Sequence, residues 1–244
     1  MAMTALLTFL FLSSGANAFL LVHPNYRLKD PEKVEVDIAS GGCQSNGIGN
    51  AELKAAIIRS IDKYWNTVAE SRLKMKAGDE VSNTLGGGAD PGQVIVGCQP
   101  LGGGAASGVT YPNAANGSAV IVLNGSVFVP GGYTTDGLIG VLSHELGHAV
   151  GLNHSGDPAS VMTYESHDWG PAAAYLSQDD KDGVVYLYPN EANIGGLLGS
   201  CSAIAHDGRP RSRANPWLFF AELFMLVGAA QLARAGLWVS RKIR

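Results

Sequence analysis

Three histidines recur at a spacing that suits a metal centre. The stretch from His144 to His154 has the sequence HELGHAVGLNH and matches the pattern HExxHxxGxxH. His144 and His148 are four residues apart, so on a helix they lie on one face and can offer two imidazole nitrogens to one Zn²⁺ ion. The spacing therefore indicates a zinc site.

The residues around these histidines favour a catalytic site over a structural one. Glu145 follows the first histidine and can reach a water molecule on the metal instead of the metal itself. Gly151 can adopt the left-handed conformation that ends a helix, which turns the chain and brings His154 back as a third ligand. Three protein ligands leave one position open, as in catalytic zinc sites. We predict one catalytic Zn²⁺, with Glu145 as the general base.

The motif resembles that of the metzincin metalloproteases, and Ser155 directly after the third histidine is similar to the matrixin branch. Residues 160–164, SVMTY, are similar to the metzincin Met-turn, in which a methionine, here Met162, underlies the metal site. Residues 176–183, LSQDDKDG, are similar to the helix that closes matrixin catalytic domains. The resemblance covers about Val34 to Pro189. It implies a zinc-dependent endopeptidase that hydrolyses extended protein or peptide substrates.

The resemblance also implies how a substrate is held. The stretch from Thr163 to Tyr175 has the position that shapes the matrixin pocket for the residue after the cut; it contains Trp169 and Tyr175 and no Lys or Arg, which indicates an apolar lining. Tyr164 resembles the tyrosine that helps to stabilise the oxyanion in astacins, and a simple packing role is the alternative. An extended substrate would lie along an edge strand, for which Gly108 to Tyr111 is the candidate.

Three departures from vertebrate matrixins alter what the resemblance implies. The first predicted strand follows the predicted cleavage site too closely for a pro-segment with a cysteine switch. No histidine lies between Cys43 and Gly140, so the additional structural zinc and calcium sites are not expected. No haemopexin-like domain is expected either, which leaves a domain similar to minimal bacterial matrixin-like ones. Asp179 and Asp180 are chiefly charges near the N-terminus of the last predicted helix, where they stabilise its dipole. The family would also allow one of them to pair with the amine of Phe19.

The elements that must position this site are predicted by periodicity and by turn residues. Val34–Ile38 alternates with period two and predicts a strand. Asn50 is a suitable N-cap for a helix that continues to about Glu70. Three further short strands are rich in β-branched residues, at 94–96, 108–111 and 119–123.

Two more helices complete the predicted domain. One runs from Asp136 into the zinc motif, and Ser177 with Asp180 forms a capping box that opens the last helix, to about Leu187. This order of elements is typical of an α+β domain. The family resemblance adds a twisted mixed sheet, with the zinc motif on an active-site helix and the last helix closing the domain.

Three cysteines allow one disulfide and leave one thiol. Cys43 and Cys98 both follow a glycine, and a bridge between them would close a loop of about 56 residues, worth about 4 kcal/mol in the chain-entropy model. Two buried thiols are the alternative. The state of Cys201 is left open.

Composition excludes several classes of protein. The chain has 244 residues, with 17 Lys and Arg against 21 Asp and Glu and a net charge of −4, which argues against a nucleic-acid-binding protein. Hydrophobic residues make up 46% and charged residues 16%, which excludes a disordered chain and suffices for one sizeable core. We expect a monomer.

The two ends predict export and membrane attachment. Residues 1–18 have an apolar run and an Ala-Asn-Ala end, which indicates a signal peptide cleaved after Ala18, although a buried first helix or strand is the alternative. The mature domain would span 19–189, followed by a linker at 190–216. Residues 217–240 form an apolar stretch without a polar face, which predicts a transmembrane helix.

A basic tail, residues 241–244, ends the chain. The layout of linker, apolar helix and basic cluster resembles the C-terminal sorting signals of bacterial envelope proteins, and a permanent membrane anchor is an equal alternative. Both place the protein at the cell envelope, either anchored there or released after the tail is removed.

These observations predict an exported, envelope-associated zinc endopeptidase. The alternative is a noncatalytic envelope protein with a structural zinc site, against which the intact Glu145 argues. A membrane adhesion module would explain the tail but not the motif. Histidines without ligand spacing are expected at the surface: His23, His167 and His206.

Overall fold

A computed structural model describes residues 19–102, 106–126, 135–164 and 176–190 of the chain. The chain divides into two units, Met1–Leu197 and Leu198–Arg244, and all described residues belong to the first. The predicted signal peptide, most of the linker, the predicted transmembrane helix, the basic tail and Cys201 lie outside the described residues.

Five strands form one mixed sheet: β1 (Val34–Ile38), β2 (Met75–Glu80), β3 (Gln93–Gln99), β4 (Gly108–Asn113) and β5 (Ser118–Asn124). Their order across the sheet is β2-β1-β3-β5-β4. The neighbouring pairs are parallel except β4, which is antiparallel to β5 and forms one edge. The sheet therefore agrees with the predicted α+β class, and the strand expected to bind substrate does lie at an edge.

The described residues also form three helices: α1 (Asn50–Lys63), α2 (Thr135–Val150) and α3 (Gln178–Leu187). Short 3-10 turns lie at Pro31–Lys33, Gln44–Asn46 and Trp65–Thr67. Among the described residues, no helix combines the length and the apolar character that crossing a membrane requires.

Successive side chains of a strand point to opposite faces of the sheet, so the buried residues form two clusters. Val94, Val96 and Ile121 join residues of α1 and α2 in the main core. Ile95 and Val120 point to the opposite face and pack in a smaller cluster with Leu85 and Leu101. Strand β5 is buried along its whole length, as expected for a strand covered on both faces. Helix α2, which carries the zinc motif, therefore packs against one face of the sheet.

Helix α1 is shorter than the sequence predicts. It ends at Lys63 and not near Glu70, because Tyr64 leaves the helical conformation. The following turn buries Trp65, whose Nε1 donates a hydrogen bond to the carbonyl oxygen of Ser143 in α2 at 3.0 Å. Burying the indole against α2 therefore ends the helix before its apolar pattern ends.

The N-cap of α1 is also corrected, since Gly49 and not Asn50 occupies that position. The Asn50 side chain instead donates from Nδ2 to Glu80 at the end of β2, at 2.6 Å. The amide thus links α1 to the sheet.

Strand β2 is not predicted by the sequence. Three of its six residues, MKAGDE, are charged, and these three are exposed. Charged side chains are common on edge strands, where they discourage pairing with other chains. Lys76 of β2 forms an ion pair with Glu35 of β1 at 3.1 Å.

Two local predictions agree with the structure. Ser177 caps α3 by accepting a hydrogen bond from the Asp180 amide, while the Asp180 side chain accepts one from the Ser177 amide. Cys43 and Cys98 form a disulfide, which joins the segment after β1 to β3.

Candidate metal centre

Three imidazole rings converge at the end of α2. Each of His144, His148 and His154 offers one ligand atom, and these atoms lie within 4.8 Å of one another. Ring centroids are 4.7 Å apart for His144 and His148 and 4.8 Å for His148 and His154. In the part of the chain that the structure describes, no other group of three potential metal ligands is found.

A glycine turn brings the third histidine into place. Gly151 has φ +112°, a conformation that residues with a side chain rarely adopt. Its amide donates to the carbonyl oxygen of His148, and the Leu152 amide donates to that of Gly147. These bonds end α2 and redirect the chain toward His154, as the motif predicts.

Backbone carbonyl groups fix two of the rings. Nδ1 of His144 lies 2.8 Å from the carbonyl oxygen of Val161, and Nδ1 of His148 lies 2.8 Å from that of Leu152. A carbonyl oxygen only accepts hydrogen bonds, so each Nδ1 carries the proton and donates it. The other nitrogen, Nε2, is then unprotonated and suited to a metal.

Burial favours the neutral form of two of these imidazoles, those of His148 and His154. Burial, together with the neighbouring His144, lowers the pKa of His148 to about 4. Burial also lowers the pKa of His154. Because metals bind the neutral form, these shifts favour metal binding at neutral pH.

Glu145 lies beside the ligands and is only 4% exposed. Thr110 of β4 donates a hydrogen bond from Oγ1 to its Oε2 at 2.6 Å. Burial raises the pKa of Glu145 to about 7, against the lowering effect of the Thr110 bond. A buried carboxyl group whose pKa is near neutral pH, next to a metal site, is suited to accept and release a proton.

Met162, the predicted Met-turn residue, is buried at 1% exposure. A Cβ atom added to Gly147 would lie 2.1 Å from its Sδ atom, so the thioether packs directly against α2 between His144 and His148. The carbonyl oxygen of Met162 also accepts a hydrogen bond from the Ser155 amide at 2.7 Å. The Met-turn resemblance implies that Met162 underlies the metal, and its thioether packs against the helix that carries His144 and His148.

Two carboxylates of α3 hold this turn in place. The Asp180 side chain accepts hydrogen bonds from Ser160 Oγ and from the Val161 amide, and that of Asp179 accepts one from Ser155 Oγ. The sequence assigns Asp179 and Asp180 mainly to the helix dipole. Their role in bracing the Met-turn is missed, because their partners come from another part of the chain.

The structure places the other predicted site residues as follows. Tyr164 is 80% exposed, and its ring centroid lies 5.1 Å from that of His154, so it stands beside the site and is not packed in the core. His23 is exposed. The pocket residues Trp169 and Tyr175 lie outside the described residues, as do His167 and His206.

Strand β4 borders the centre. Gly108 and Thr110 pair with Leu123 and Ile121 of β5, both of which face the main core. Their side of the strand therefore faces α2. Among the described residues the opposite edge of β4 has no strand partner, so its backbone is positioned to pair with an extended peptide.

Comparison with known proteins agrees with this geometry. A family model described as matrixin matches residues 53–189. Matrix metalloproteinase-25 of Homo sapiens is 48% identical over 53 residues, which cover 21% of this chain and 9% of that protein. Matrilysin of Homo sapiens is 47% identical over 53 residues, covering 21% and 19%. Metalloendoproteinase 2-MMP of Arabidopsis thaliana is 36% identical over 67 residues, covering 28% and 18%.

The similarity to these relatives is therefore local. The chain covers less than one fifth of the length of each of the three.

Proposed function

The chain belongs to the matrixin family, and from this premise we propose that it is a zinc-dependent endopeptidase that hydrolyses extended protein or peptide substrates. The observation that carries the proposal is the convergence of three imidazoles beside a helix position, Glu145, that holds a buried carboxyl group and is not one of the grouped ligands.

The donor set fits zinc. His144, His148 and His154 would hold the ion through three nitrogens, which is a common ligand set of catalytic zinc sites. When bound there, zinc supplies a Lewis acid that polarises the scissile carbonyl and lowers the pKa of a water molecule.

Glu145 would move the proton. Thr110 engages Oε2, so we assign Oε1 to accept the proton of the attacking water and to pass it to the amine of the leaving peptide. The surrounding core limits contact between this carboxyl group and bulk water. The free edge of β4 would hold the substrate backbone extended beside it.

A noncatalytic protein with a structural zinc site is the second candidate. The environment of Glu145 argues against it, because burying an ionisable carboxyl group costs free energy and a structural site has no use for one there. Burial raises the pKa of Glu145, which reflects that cost.

We further propose a preference for apolar residues after the cut. The stretch from Thr163 to Tyr175 contains Trp169 and no Lys or Arg, while Glu165 and Asp168 add negative charge. Leu, Ile, Met or Phe would be accepted there and Asp or Glu rejected, because an acidic side chain would be desolvated without a partner. The exposure of Tyr164 beside His154 favours a role at the reacting carbonyl over a packing role.

We also propose that the protein is exported and attached to the cell envelope. The apolar segment at 217–240 would hold it at the membrane, either permanently or until the tail is removed.

Cleavage after Ala18 would create an amine at Phe19. The Phe19 ring lies 5.3 Å from that of Tyr186 on α3, the helix that also carries Asp179 and Asp180.

Cleavage of a peptide library tests this function. The zinc-loaded chain should cut peptides before Leu, Ile, Met or Phe, lose activity when zinc is chelated, and regain it when zinc is restored. Zinc bound at one per chain without any cleavage would favour the structural alternative. A preference for acidic residues after the cut would reject the pocket assignment.

A further inference from the structure

The side chain of Thr110 makes two contacts with one residue of α2. Its Oγ1 lies 2.6 Å from Oε2 of Glu145 and 3.0 Å from the carbonyl oxygen of the same residue. A threonine hydroxyl has a single hydrogen, so it donates to one acceptor at a time. The shorter contact, to a carboxylate, is the stronger of the two.

Strand geometry explains why this contact is available. Thr110 and Gly108 are two residues apart in β4, so both face α2. A Cβ atom added to Gly108 would lie 2.8 Å from both Cγ and Oε1 of Glu145. The strand therefore leaves space for the carboxyl group at Gly108 and holds it by a hydrogen bond at Thr110.

The backbone of Glu145 is fixed by α2, but its side chain has three rotatable bonds. Without a partner the carboxyl group can take several rotamers. The bond from Thr110 occupies Oε2 and leaves Oε1 as the second oxygen, which limits the carboxyl group to one orientation.

We propose that Thr110 is a positioning residue for Glu145, which selects the orientation in which Oε1 exchanges protons with water and substrate. This proposal rests on the proposed peptidase function for its catalytic consequence, and on the geometry alone for the orientation. A displacement of about 1 Å at a reacting group can lower a rate by about 100-fold.

Substitutions in the full chain test the proposal. Thr110→Val removes the hydroxyl group and keeps the shape, whereas Thr110→Ser retains it. Ser60→Ala is the matched control, since Ser60 Oγ also donates to a carbonyl oxygen of α2, that of Ile139 at 3.1 Å, without touching Glu145. Thr110→Ala replaces the valine variant if that variant does not fold.

Two measurements apply to each variant: kcat and KM for a fluorogenic peptide at equal zinc content, and the Glu145 side-chain conformation in a crystal structure. Thr110→Val should lower kcat by about 10- to 100-fold with KM nearly unchanged, and its Glu145 should adopt another rotamer. Thr110→Ser should keep both properties, and Ser60→Ala should lower only the melting temperature.

Three outcomes would overturn the proposal: wild-type kcat in Thr110→Val, an unmoved Glu145 in that variant, or equal losses of kcat in Thr110→Val and Ser60→Ala. Failure of the proposed function would look different. A zinc-loaded wild-type chain without turnover would reject the peptidase assignment, while the conformation of Glu145 in the variant would still decide the positioning role.

Discussion

Asp37 of β1 places a carboxyl group where little water reaches it, at 6% exposure. Its Oδ2 accepts a hydrogen bond from Nε2 of Gln93 at 2.7 Å, and Gly78 of the neighbouring strand lies so close that a Cβ atom there would clash with Oδ1. Burial raises the pKa of Asp37, against the lowering effect of the Gln93 bond, and the nearby Glu35 raises it further. The folded protein therefore disfavours the ionised form.

This shift predicts that Asp37→Asn stabilises the protein at neutral pH. Asparagine keeps an oxygen that can accept the Gln93 hydrogen bond and carries no charge. Because the pKa is higher in the folded state than in the unfolded state, the wild type loses stability as pH rises through the interval between the two values. The melting temperature of the variant should exceed that of the wild type at pH 7, and the difference should vanish near pH 3.

The exposed Asp62 of α1 provides the control, and Asp62→Asn should change the free energy of unfolding by no more than about 0.5 kcal/mol. An Asp37→Asn variant less stable than the wild type at pH 7 would show that the buried charge is compensated.

At the scale of elements, the metal centre depends on the close approach of α2 and the Met-turn. Gly147 allows this approach, since an added Cβ atom would meet Met162 and also Trp65, at 2.9 Å. Alanine is the better helix former by about 1 kcal/mol. The clash lowers stability and the helix propensity of alanine raises it, so the stability of Gly147→Ala shows which effect is larger.

We predict that the clash dominates in Gly147→Ala, because overpacking a filled core costs about 1–3 kcal/mol. The variant should unfold at lower denaturant concentration than the wild type. It should also bind zinc more weakly, because a displaced Met162 changes the packing of the helix that carries His144 and His148. Gly86→Ala is the control, since no atom lies within 4 Å of the added Cβ. A Gly147→Ala variant as stable as the wild type would contradict the prediction, because the clash would then cost no more than the gain in helix propensity of about 1 kcal/mol.

The disulfide ties β3 to the segment after β1, across 55 residues of sequence. Replacing both Cys43 and Cys98 with alanine should lower the free energy of unfolding by about 4 kcal/mol in the chain-entropy model. Denaturant unfolding measures this loss. A reducing agent should destabilise the wild type and leave the double variant unchanged; a loss below about 1 kcal/mol would show that the bridge constrains the unfolded chain little.

Elements with local signals could be predicted from the sequence, and those set by tertiary packing could not. The capping box of Ser177 and the left-handed Gly151 lie within a few residues of what they determine, so both are predicted correctly. The early end of α1 depends on burying Trp65 against α2, and β2 depends on pairing with β1. Neither leaves a periodic pattern in the sequence.

The same distinction applies to the site. The histidines and Glu145 lie within one short motif, so their spacing alone predicts the cluster. The partners of Glu145 and Asp179 are 35 and 24 residues away in the chain, and no local pattern links them. Thr110 could have been suggested only by its place on the strand predicted to border the site.

At the scale of the whole molecule, backbone contacts hold the last residues of the described domain in place. Ser71 and Pro189 form an isolated bridge, and the Asn190 amide donates to the carbonyl oxygen of Glu70. These contacts tie the segment after α3 to the segment after α1. The zinc cluster, Glu145 and the Met-turn all come before this point in the sequence.

Given the proposed membrane attachment, deleting residues 216–244 should release the protein from membranes. The contacts at the end of the domain predict that its peptidase activity stays intact. Membrane fractionation and the turnover of a fluorogenic peptide, compared with those of the full chain, measure the two effects. Loss of activity in the released protein would mean that the deleted segment contributes to the catalytic domain.

The central claim is that Glu145 acts as the base of a three-histidine zinc peptidase. Its most direct test is the turnover of Glu145→Gln relative to the wild type, with both proteins at one zinc per chain. Glutamine keeps the size of the side chain and leaves the three histidines intact, but it cannot take up a proton. We predict normal folding, unchanged zinc content and a turnover lower by about 10² to 10⁴; equal turnover in the two proteins would contradict the claim.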